Sequence, residues 1–127
     1  MKLLSEYLPE RFQYLGKVSN EKLNILYNSA YCLIYPSEYE GFGIPLLEAM
    51  RTGCPVIAVN RSSIPEVVGD SAILVEEASI ESLFSALLSV EANANELKNK
   101  GLAQSNKFSW GKCFSETYNL YKALSKF

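Results

Sequence analysis

A short apolar run near the middle of the chain constrains the fold more than any other segment. The run is PVIAV, at residues 55–59. It is rich in β-branched residues and apolar at every position, which is typical of a parallel strand covered by helices on both faces. Three further runs of strand length are FQYLG, YCLIY and AILV, at residues 12–16, 31–35 and 72–75. Because helical stretches alternate with these runs, the sequence predicts an α/β fold.

Capping residues and apolar spacing predict the helices between these strands. Ser19 or Asn20 offers an N-cap for the first helix. Its apolar residues recur at spacings of three and four, and they are Leu23, Leu26 and Tyr27. Pro45 suits the first turn of a helix that runs to about Arg51, since a missing N–H costs little there. A further helical turn is expected to begin near Pro65.

The last third of the chain is predicted to be helical. Ser79 caps a helix whose apolar face consists of Ile80, Leu83, Phe84 and Leu87. From about Asn93 the prediction is helix to the end, with a break over residues 108–111. The final helix carries apolar residues on one side, which favours packing over a ligand site; they are Phe114, Tyr118, Tyr121 and Leu124. We interpret residues 1–127 as a single partial domain, with its C-terminal helices in residues 93–127.

Composition excludes several classes of protein. Hydrophobic residues make up 48% of the chain and charged residues 20%, which is typical of a globular domain. No apolar run reaches the ~18 residues that span a bilayer, and Ser5 and Glu6 interrupt the first apolar residues too early for a signal-peptide core. We therefore expect a cytoplasmic location. The chain contains no histidine, which excludes Ser-His-Asp and Cys-His nucleophiles and histidine-ligated zinc.

The cysteines and the charge pattern complete this picture. Cys32, Cys54 and Cys113 include no CxxC pair, which predicts reduced thiols buried in a core. Residues 38–91 hold nine acidic residues against two arginines, whereas residues 98–127 hold six lysines against one glutamate. The lysine-rich end is interpreted as a solvated helix face, with contact to an anionic membrane or a partner domain as the alternative. Nothing in the pattern indicates a nucleic-acid partner.

The segment SEYEGFGIPLLEAM carries two carboxylates in different settings. Glu40 lies in the loop that leaves the carboxyl end of a predicted strand, where ligands of open α/β sheets bind. Glu48 lies about one turn into the following helix. Glycines between them allow a close backbone approach, so the N–H groups of Phe42, Gly43 and Ile44 can form an anion site at the positive end of the helix dipole.

These parts suit a nucleotide sugar. The amides can hold its phosphates, while carboxylates accept hydrogen bonds from ribose and sugar hydroxyls. The alternative is that Glu40 is a solvated loop residue, that Glu48 is an acid favoured by the helix dipole, and that the glycines only form turns. Spacing alone does not decide between these interpretations.

A family resemblance favours the nucleotide-sugar interpretation. The sequence from residue 12 to about residue 89 resembles the donor-site half of the GT-B glycosyltransferases, closest to the large retaining family often called family 4. The motif elements EGFG, P, LEAM, G and PV all stand here, as Glu40, Gly41, Phe42, Gly43, Pro45, Leu47, Glu48, Ala49, Met50, Gly53, Pro55 and Val56. The resemblance implies a Rossmann-like parallel sheet with flanking helices, the C-terminal half of a GT-B enzyme without its first two strands.

The resemblance also implies roles for individual residues. Glu40 would bind the hydroxyls of the transferred sugar and stabilise a cationic transition state, and Glu48 would bind the ribose hydroxyls. The amides of Phe42, Gly43 and Ile44 would face the sugar and diphosphate. Leu47 would pack on the ribose or base. The backbone around Gly16, Lys17 and Val18 would border the nucleobase.

The implied function is donor binding in a retaining, metal-independent transferase of polysaccharide biosynthesis, acting on a glycan or lipid-linked glycan acceptor. No cofactor is implied besides the nucleoside diphosphate sugar. Family members also have an N-terminal acceptor domain and an Arg and a Lys that clamp the diphosphate, and neither has a counterpart in residues 1–127. The isolated chain is therefore expected to be inactive. Arg61 is a weak phosphate candidate, and Arg51 is expected to be a surface or helix-dipole partner.

Two other functions stay open at this point. One is a nonenzymatic module that binds a nucleotide sugar or glycan, and the other is a nucleotide-sugar epimerase of the same fold, which the intact motif disfavours. By resemblance, FQYLG corresponds to strand 3 and YCLIY to strand 4 of the order 3-2-1-4-5-6. With strands 1 and 2 absent, FQYLG must pair with YCLIY, pair with another chain or drift. We expect an exposed strand edge and self-association of the chain.

Overall fold

The computed structural model describes residues 10–125, which form five helices and three strands in an α/β order. In chain order these elements are α1 (Asn20–Ser29), β1 (Leu33–Tyr35), α2 (Ile44–Arg51), β2 (Val56–Val59), α3 (Ile64–Val68), β3 (Ile73–Val75), α4 (Ile80–Ser105) and α5 (Trp110–Leu124).

The three strands form one parallel sheet in the order β1-β2-β3. Leu33 pairs with Val56 at the start of the first ladder, and Ile57 pairs with Ile73 at the start of the second. All four residues of the central strand β2 are buried. The predicted fold class, a parallel sheet with flanking helices, is confirmed.

The predicted strand FQYLG is wrong. Residues 12–16 adopt no regular secondary structure, and within residues 10–125 no strand pairs with β1 on the side away from β2. A strand is stabilised by the ladder of hydrogen bonds to its neighbour. Because FQYLG has no such neighbour, its apolar pattern alone does not produce a strand, and its predicted pairing with YCLIY is not formed.

The core lies on both faces of the sheet because β2 alternates its side chains. Val56 and Ala58 pack with residues of α2 and α3, where Leu46 is fully buried. Ile57 and Val59 face the opposite side, where they pack with α4 residues such as Val90. The strand is therefore covered by helices on both faces, as its uniformly apolar composition predicts.

Helix α4 begins after the predicted cap, Ser79. It is kinked at Asn93, the residue near which the sequence predicts a further helix to begin. The side chain of Ser79 accepts a hydrogen bond from the amide of Ser82, and Asn93 interrupts the helix with non-helical backbone angles. One part of the predicted apolar face is wrong: Ile80 and Phe84 are 84% and 61% exposed.

The apolar face of α5 is not packed as predicted. Phe114 is 70% exposed and Tyr121 is 68% exposed, and the ring of Phe114 stacks only on that of Tyr118. No helix or strand among residues 10–125 covers this face. The prediction of a break before α5 is confirmed, since the helix begins at Trp110 after a Ser109 cap.

The three cysteines differ in burial. All are free thiols, with Cys54 buried, Cys32 partly buried and Cys113 exposed on α5. Burial raises the pKa of the Cys32 and Cys54 thiols. The prediction of core thiols therefore holds for Cys54 and is wrong for Cys113, because α5 lies on the surface.

We predict opposite effects for alanine at two helical glycines. At Gly101 an added Cβ would lie 3.3 Å from the Cγ atom of buried Met50, whereas at Gly111 its nearest neighbour would be the Ser109 Oγ atom at 4.0 Å. Gly111→Ala should raise the free energy of unfolding by about 0.5–1 kcal/mol through backbone entropy. Gly101→Ala should lower it by about 1 kcal/mol through overpacking. Urea unfolding measures both, and equal stabilisation by the two variants would contradict the close α2–α4 packing.

We also predict that the edge of β1, which no strand among residues 10–125 pairs with, causes concentration-dependent self-association. Ile34 in this strand is 39% exposed, and an unpaired apolar edge is a template for strand pairing. Ile34→Lys should shift the protein toward monomer in light scattering. Ile25→Lys, on an exposed residue of α1, is the matched control and should leave association unchanged. A parent chain that stays monomeric at high concentration would refute the prediction.

Candidate active site

Glu40 lies in the loop between β1 and α2, and its carboxylate is held by two hydroxyl groups. The Oε1 atom of Glu40 accepts a hydrogen bond of 2.6 Å from Tyr35 Oη and one of 2.7 Å from Ser37 Oγ. Tyr35 is the last residue of β1, so the strand itself positions this donor. Two donors to one oxygen restrict the rotation of the carboxylate, and no donor among residues 10–125 bonds to Oε2.

These hydrogen bonds set the charge of both groups. Donation from Tyr35 and Ser37 lowers the pKa of Glu40. Burial, together with the bond to Glu40, raises the pKa of Tyr35 to about 12. At neutral pH the loop therefore carries an ionised carboxylate beside a protonated phenol, and the carboxylate is suited to accept hydrogen bonds from hydroxyls.

The main chain at Glu40 is held by the loop that follows β2. The backbone carbonyl of Glu40 accepts hydrogen bonds from Ser62 Oγ at 2.7 Å and from Ser63 Oγ at 2.9 Å. Since β1 and β2 are parallel neighbours, their following loops lie at the same edge of the sheet. The two loops are thus joined at the residue that carries the candidate catalytic carboxylate.

The start of α2 offers backbone amides to an anion. Gly43 occupies the N-cap with φ +94°, and a Cβ there would lie 2.8 Å from the Leu46 Cδ1 atom, so glycine is required. Within residues 10–125, the amides of Phe42, Gly43 and Ile44 donate to no backbone carbonyl. Unpaired amides at a helix N-terminus are suited to bind phosphate or carboxylate oxygens.

Glu48 is the fifth residue of α2 and is exposed, as predicted from its position after the helix start. Its Oε2 atom accepts a hydrogen bond of 3.4 Å from Tyr27 Oη on α1. Burial and the neighbouring Glu48 charge raise the pKa of Tyr27. The carboxylate is therefore oriented by one phenol and stays accessible to a ligand hydroxyl.

A cavity of about 580 Å³ opens between α2 and the start of α5. Among the predicted site residues it brings together Phe42, Ile44, Leu47 and Glu48. Its opposite wall comes from residues 107–117 and includes Lys107, Phe108, Trp110, Lys112 and Glu116. Leu47 is 8% exposed and belongs mainly to the core. Glu48 lines this cavity and Glu40 does not.

Gly16, Lys17 and Val18 precede α1 and do not line the cavity either. Gly16 has φ +61°, and Gly16 and Lys17 are exposed while Val18 is partly buried. Ser19 then caps α1 by accepting from the Lys22 amide. The nucleobase role of these three residues stays a prediction.

Sequence reasoning missed the hydroxyls that hold the carboxylates. Tyr35 and Ser37 lie five and three residues before Glu40, a short separation that is itself a signal, whereas Tyr27 lies 21 residues from Glu48 and no local signal marks it. The two arginines of the middle segment, Arg51 and Arg61, are both engaged. Arg51 donates to the Phe108 carbonyl at 2.7 Å, and Arg61 pairs with Glu76 at 3.5 Å.

Among residues 10–125, no cluster of three His, Cys, Asp or Glu residues could hold a metal ion. In the same part of the chain, no helix is both long and apolar enough to cross a membrane.

The fold and this loop define a class, the C-terminal α/β domain of GT-B glycosyltransferases. A solved structure of sucrose-phosphate synthase from Thermosynechococcus elongatus matches 98% of the chain with a TM-score of 0.87 and 28% sequence identity, and the match covers 33% of that protein. The family is shown by sequence as well. The model for "Glycosyl transferases group 1" matches residues 2–105, and the chain belongs to this family.

Curated relatives include several mannosyltransferases. The O-antigen chain mannosyltransferase B of Escherichia coli is 43% identical over 115 residues, which cover 88% of this chain and 30% of that protein. The serotype-specific mannosyltransferase WbdA of Escherichia coli is 36% identical over 115 residues, 87% of this chain and 14% of that protein. The chain thus spans less than a third of the length of these relatives.

We predict that Tyr35→Phe raises the pKa of Glu40 toward its ordinary value of 4.5, because one of two donors to the carboxylate is lost. The pH titration of the Glu40 side-chain carbon resonance measures it. Tyr31→Phe, at an exposed tyrosine, should leave that titration unchanged.

The same variant should change acid stability. A lowered pKa in the folded state means that Glu40 stabilises the fold at neutral pH and that this contribution is lost as pH falls through the lowered value. Tyr35→Phe should therefore show a smaller loss of stability on acidification. An unaltered Glu40 titration would contradict the hydrogen bond.

Proposed function

We propose that this chain is the donor-binding part of a retaining glycosyltransferase that transfers a sugar from a nucleoside diphosphate sugar to an acceptor glycan or lipid-linked glycan. The observation that carries the proposal is the Glu40 carboxylate, fixed by Tyr35 and Ser37 at the carboxyl end of β1. Ligands of open parallel sheets bind at this edge. A fixed, ionised acceptor is suited to bind sugar hydroxyls and to stabilise positive charge that develops at the reacting carbon.

The neighbouring groups support a nucleoside diphosphate as the rest of the donor. The amides of Phe42, Gly43 and Ile44 would hold diphosphate oxygens at the start of α2. Glu48 stands one helical turn further, about 6 Å along the axis from Ile44. Its carboxylate would accept from the ribose hydroxyls, while Leu47 and the apolar wall of the cavity would contact the ribose or base.

We propose mannose as the transferred sugar and a bacterial surface polysaccharide as the product class. The support is the printed names of the relatives, since one is the O-antigen chain mannosyltransferase B and another a serotype-specific mannosyltransferase, both of Escherichia coli. The segment VNRSSIPEVVGD, which contains α3, also resembles mannosyl- and rhamnosyltransferases. Work at the cytoplasmic face of the membrane would follow from such an acceptor, with the lysines of α5 as a candidate contact.

Catalysis itself is proposed for the whole protein. The chain spans 30% of the E. coli mannosyltransferase B, and a domain for the acceptor is required before transfer can occur. We therefore propose that the isolated chain binds donor and does not turn it over. The second candidate, a nonenzymatic binding module, differs in having no turnover even as the full-length gene product.

Titration calorimetry with GDP, UDP and ADP tests the donor site directly. We predict that Glu48→Ala weakens binding of the preferred nucleotide about ten- to a hundredfold, since a charged acceptor for ribose hydroxyls is worth about 1.5–3 kcal/mol. Glu116→Gln removes a charge from the opposite wall of the same cavity and should leave affinity unchanged. Equal effects of the two variants would indicate a general charge effect and refute the ribose contact.

We predict that nucleotide binding survives exhaustive chelation. The chain contains no histidine, and the proposed contacts to phosphate are backbone amides rather than metal ligands. Affinity measured with and without EDTA should agree. Binding that disappears with EDTA and returns with Mn²⁺ or Mg²⁺ would contradict the amide-based phosphate site.

A further inference from the structure

We infer that Ser62 and Ser63 form a clamp that positions the Glu40 loop for the donor, an inference that rests on the proposed function. Their hydroxyls donate to the same acceptor, the Glu40 carbonyl, at 2.7 Å and 2.9 Å. They come from a separate loop, 22 and 23 residues along the chain. Both lone-pair directions of one carbonyl oxygen are thereby used, which fixes that peptide group in two directions.

Ser63 forgoes its ordinary local role to make this contact. It occupies the N-cap of α3 but makes no side-chain capping bond, and its backbone is helical, with φ −79° and ψ −9°. The serine N-caps Ser19, Ser79 and Ser109 behave differently, since each is extended and accepts from an amide three residues later. A side-chain capping bond stabilises the start of a helix, and α3 lacks one. The Ser63 hydroxyl is therefore used for the Glu40 loop instead of for its own helix.

Ser62 also departs from a local preference. Its φ is +54°, the left-handed region, and it is the one residue other than glycine with positive φ among residues 10–125. Such conformations are unfavourable for a residue with a Cβ and persist where the surroundings hold them. Ser62 thus holds an unfavourable backbone conformation and Ser63 makes no capping bond, and both direct a hydroxyl to the Glu40 carbonyl.

The clamp has a geometric consequence for the amides. A trans peptide is planar, so the Gly41 N–H points opposite to the Glu40 carbonyl. Holding the carbonyl toward Ser62 and Ser63 turns the Gly41 N–H away from their loop. The orientation of this peptide also sets the direction in which the chain continues through Phe42 and Gly43 to the start of α2. The serines are therefore positioning residues, which act on the donor through Glu40 and the following amides.

The test separates this role from general stability. Ser62→Gly removes a hydroxyl and also relieves the left-handed strain, so it should leave the free energy of unfolding unchanged or higher. The double variant Ser62→Gly with Ser63→Ala should shift the ¹H–¹⁵N resonances of Gly41, Phe42 and Gly43 and weaken binding of GDP about tenfold. Two single variants are also compared at Ser63. Ser63→Thr, which keeps the hydroxyl, should retain the loop resonances and GDP affinity of the parent chain, whereas Ser63→Ala should not.

The control is Ser79→Ala, which removes the side-chain capping bond at the start of α4. It should lower stability without shifting the three loop amides or changing GDP affinity. Loop resonances that stay unchanged in the double variant would overturn the clamp. Shifted resonances with unchanged GDP affinity would overturn its role in donor positioning. If the parent chain binds neither GDP, UDP nor ADP, the proposed function fails, and the loop resonances still decide whether the clamp exists.

Discussion

The parallel pairing of β1 with β2 is the constraint on which the candidate site depends. It places the carboxyl ends of both strands at one edge of the sheet. The loop that follows Tyr35, the last residue of β1, therefore lies beside the loop that carries Ser62 and Ser63. Glu40 is then held at two points, through its carboxylate by the end of β1 and by Ser37 of its own loop, and through its carbonyl by the neighbouring loop. A buried central strand supplies the rigid base that such positioning requires.

The two carboxylates are supported in different ways. Glu40 lies in a loop and is fixed by short hydrogen bonds from Tyr35 and Ser37, whereas Glu48 projects from a helix and contacts the phenol of Tyr27 at 3.4 Å. A helix provides orientation through its backbone, so Glu48 needs less support from neighbouring side chains. This difference agrees with the proposed roles, in which Glu40 acts at the reacting carbon and Glu48 binds the ribose.

Predictions from the sequence succeeded where short-range information is sufficient. The N-cap at Ser19, the helix start near Pro45 and the buried strand after Pro55 follow from local chemistry, and the structure confirms them. The prediction of a strand at FQYLG is wrong because a strand also needs a partner strand, which the local sequence pattern does not reveal. The hydrogen bonds from Ser62 and Ser63 to Glu40 cannot be predicted from local sequence either, since they join residues more than twenty positions apart. Phe84 and Phe114 have apolar helical spacing but lack covering residues in the part of the chain that the structure describes.

Because the three thiols differ in burial, a thiol-reactive reagent can label one of them, Cys113, in preference to the other two. Cys113 is exposed and lines the cavity beside Glu48, while burial raises the pKa of Cys32 and Cys54 and so reduces their reactive thiolate. A maleimide dye added at neutral pH will therefore react first at the cavity wall. The native sequence thus provides a fluorescent reporter at the proposed nucleotide pocket, and ligand binding can be followed without introducing any substitution.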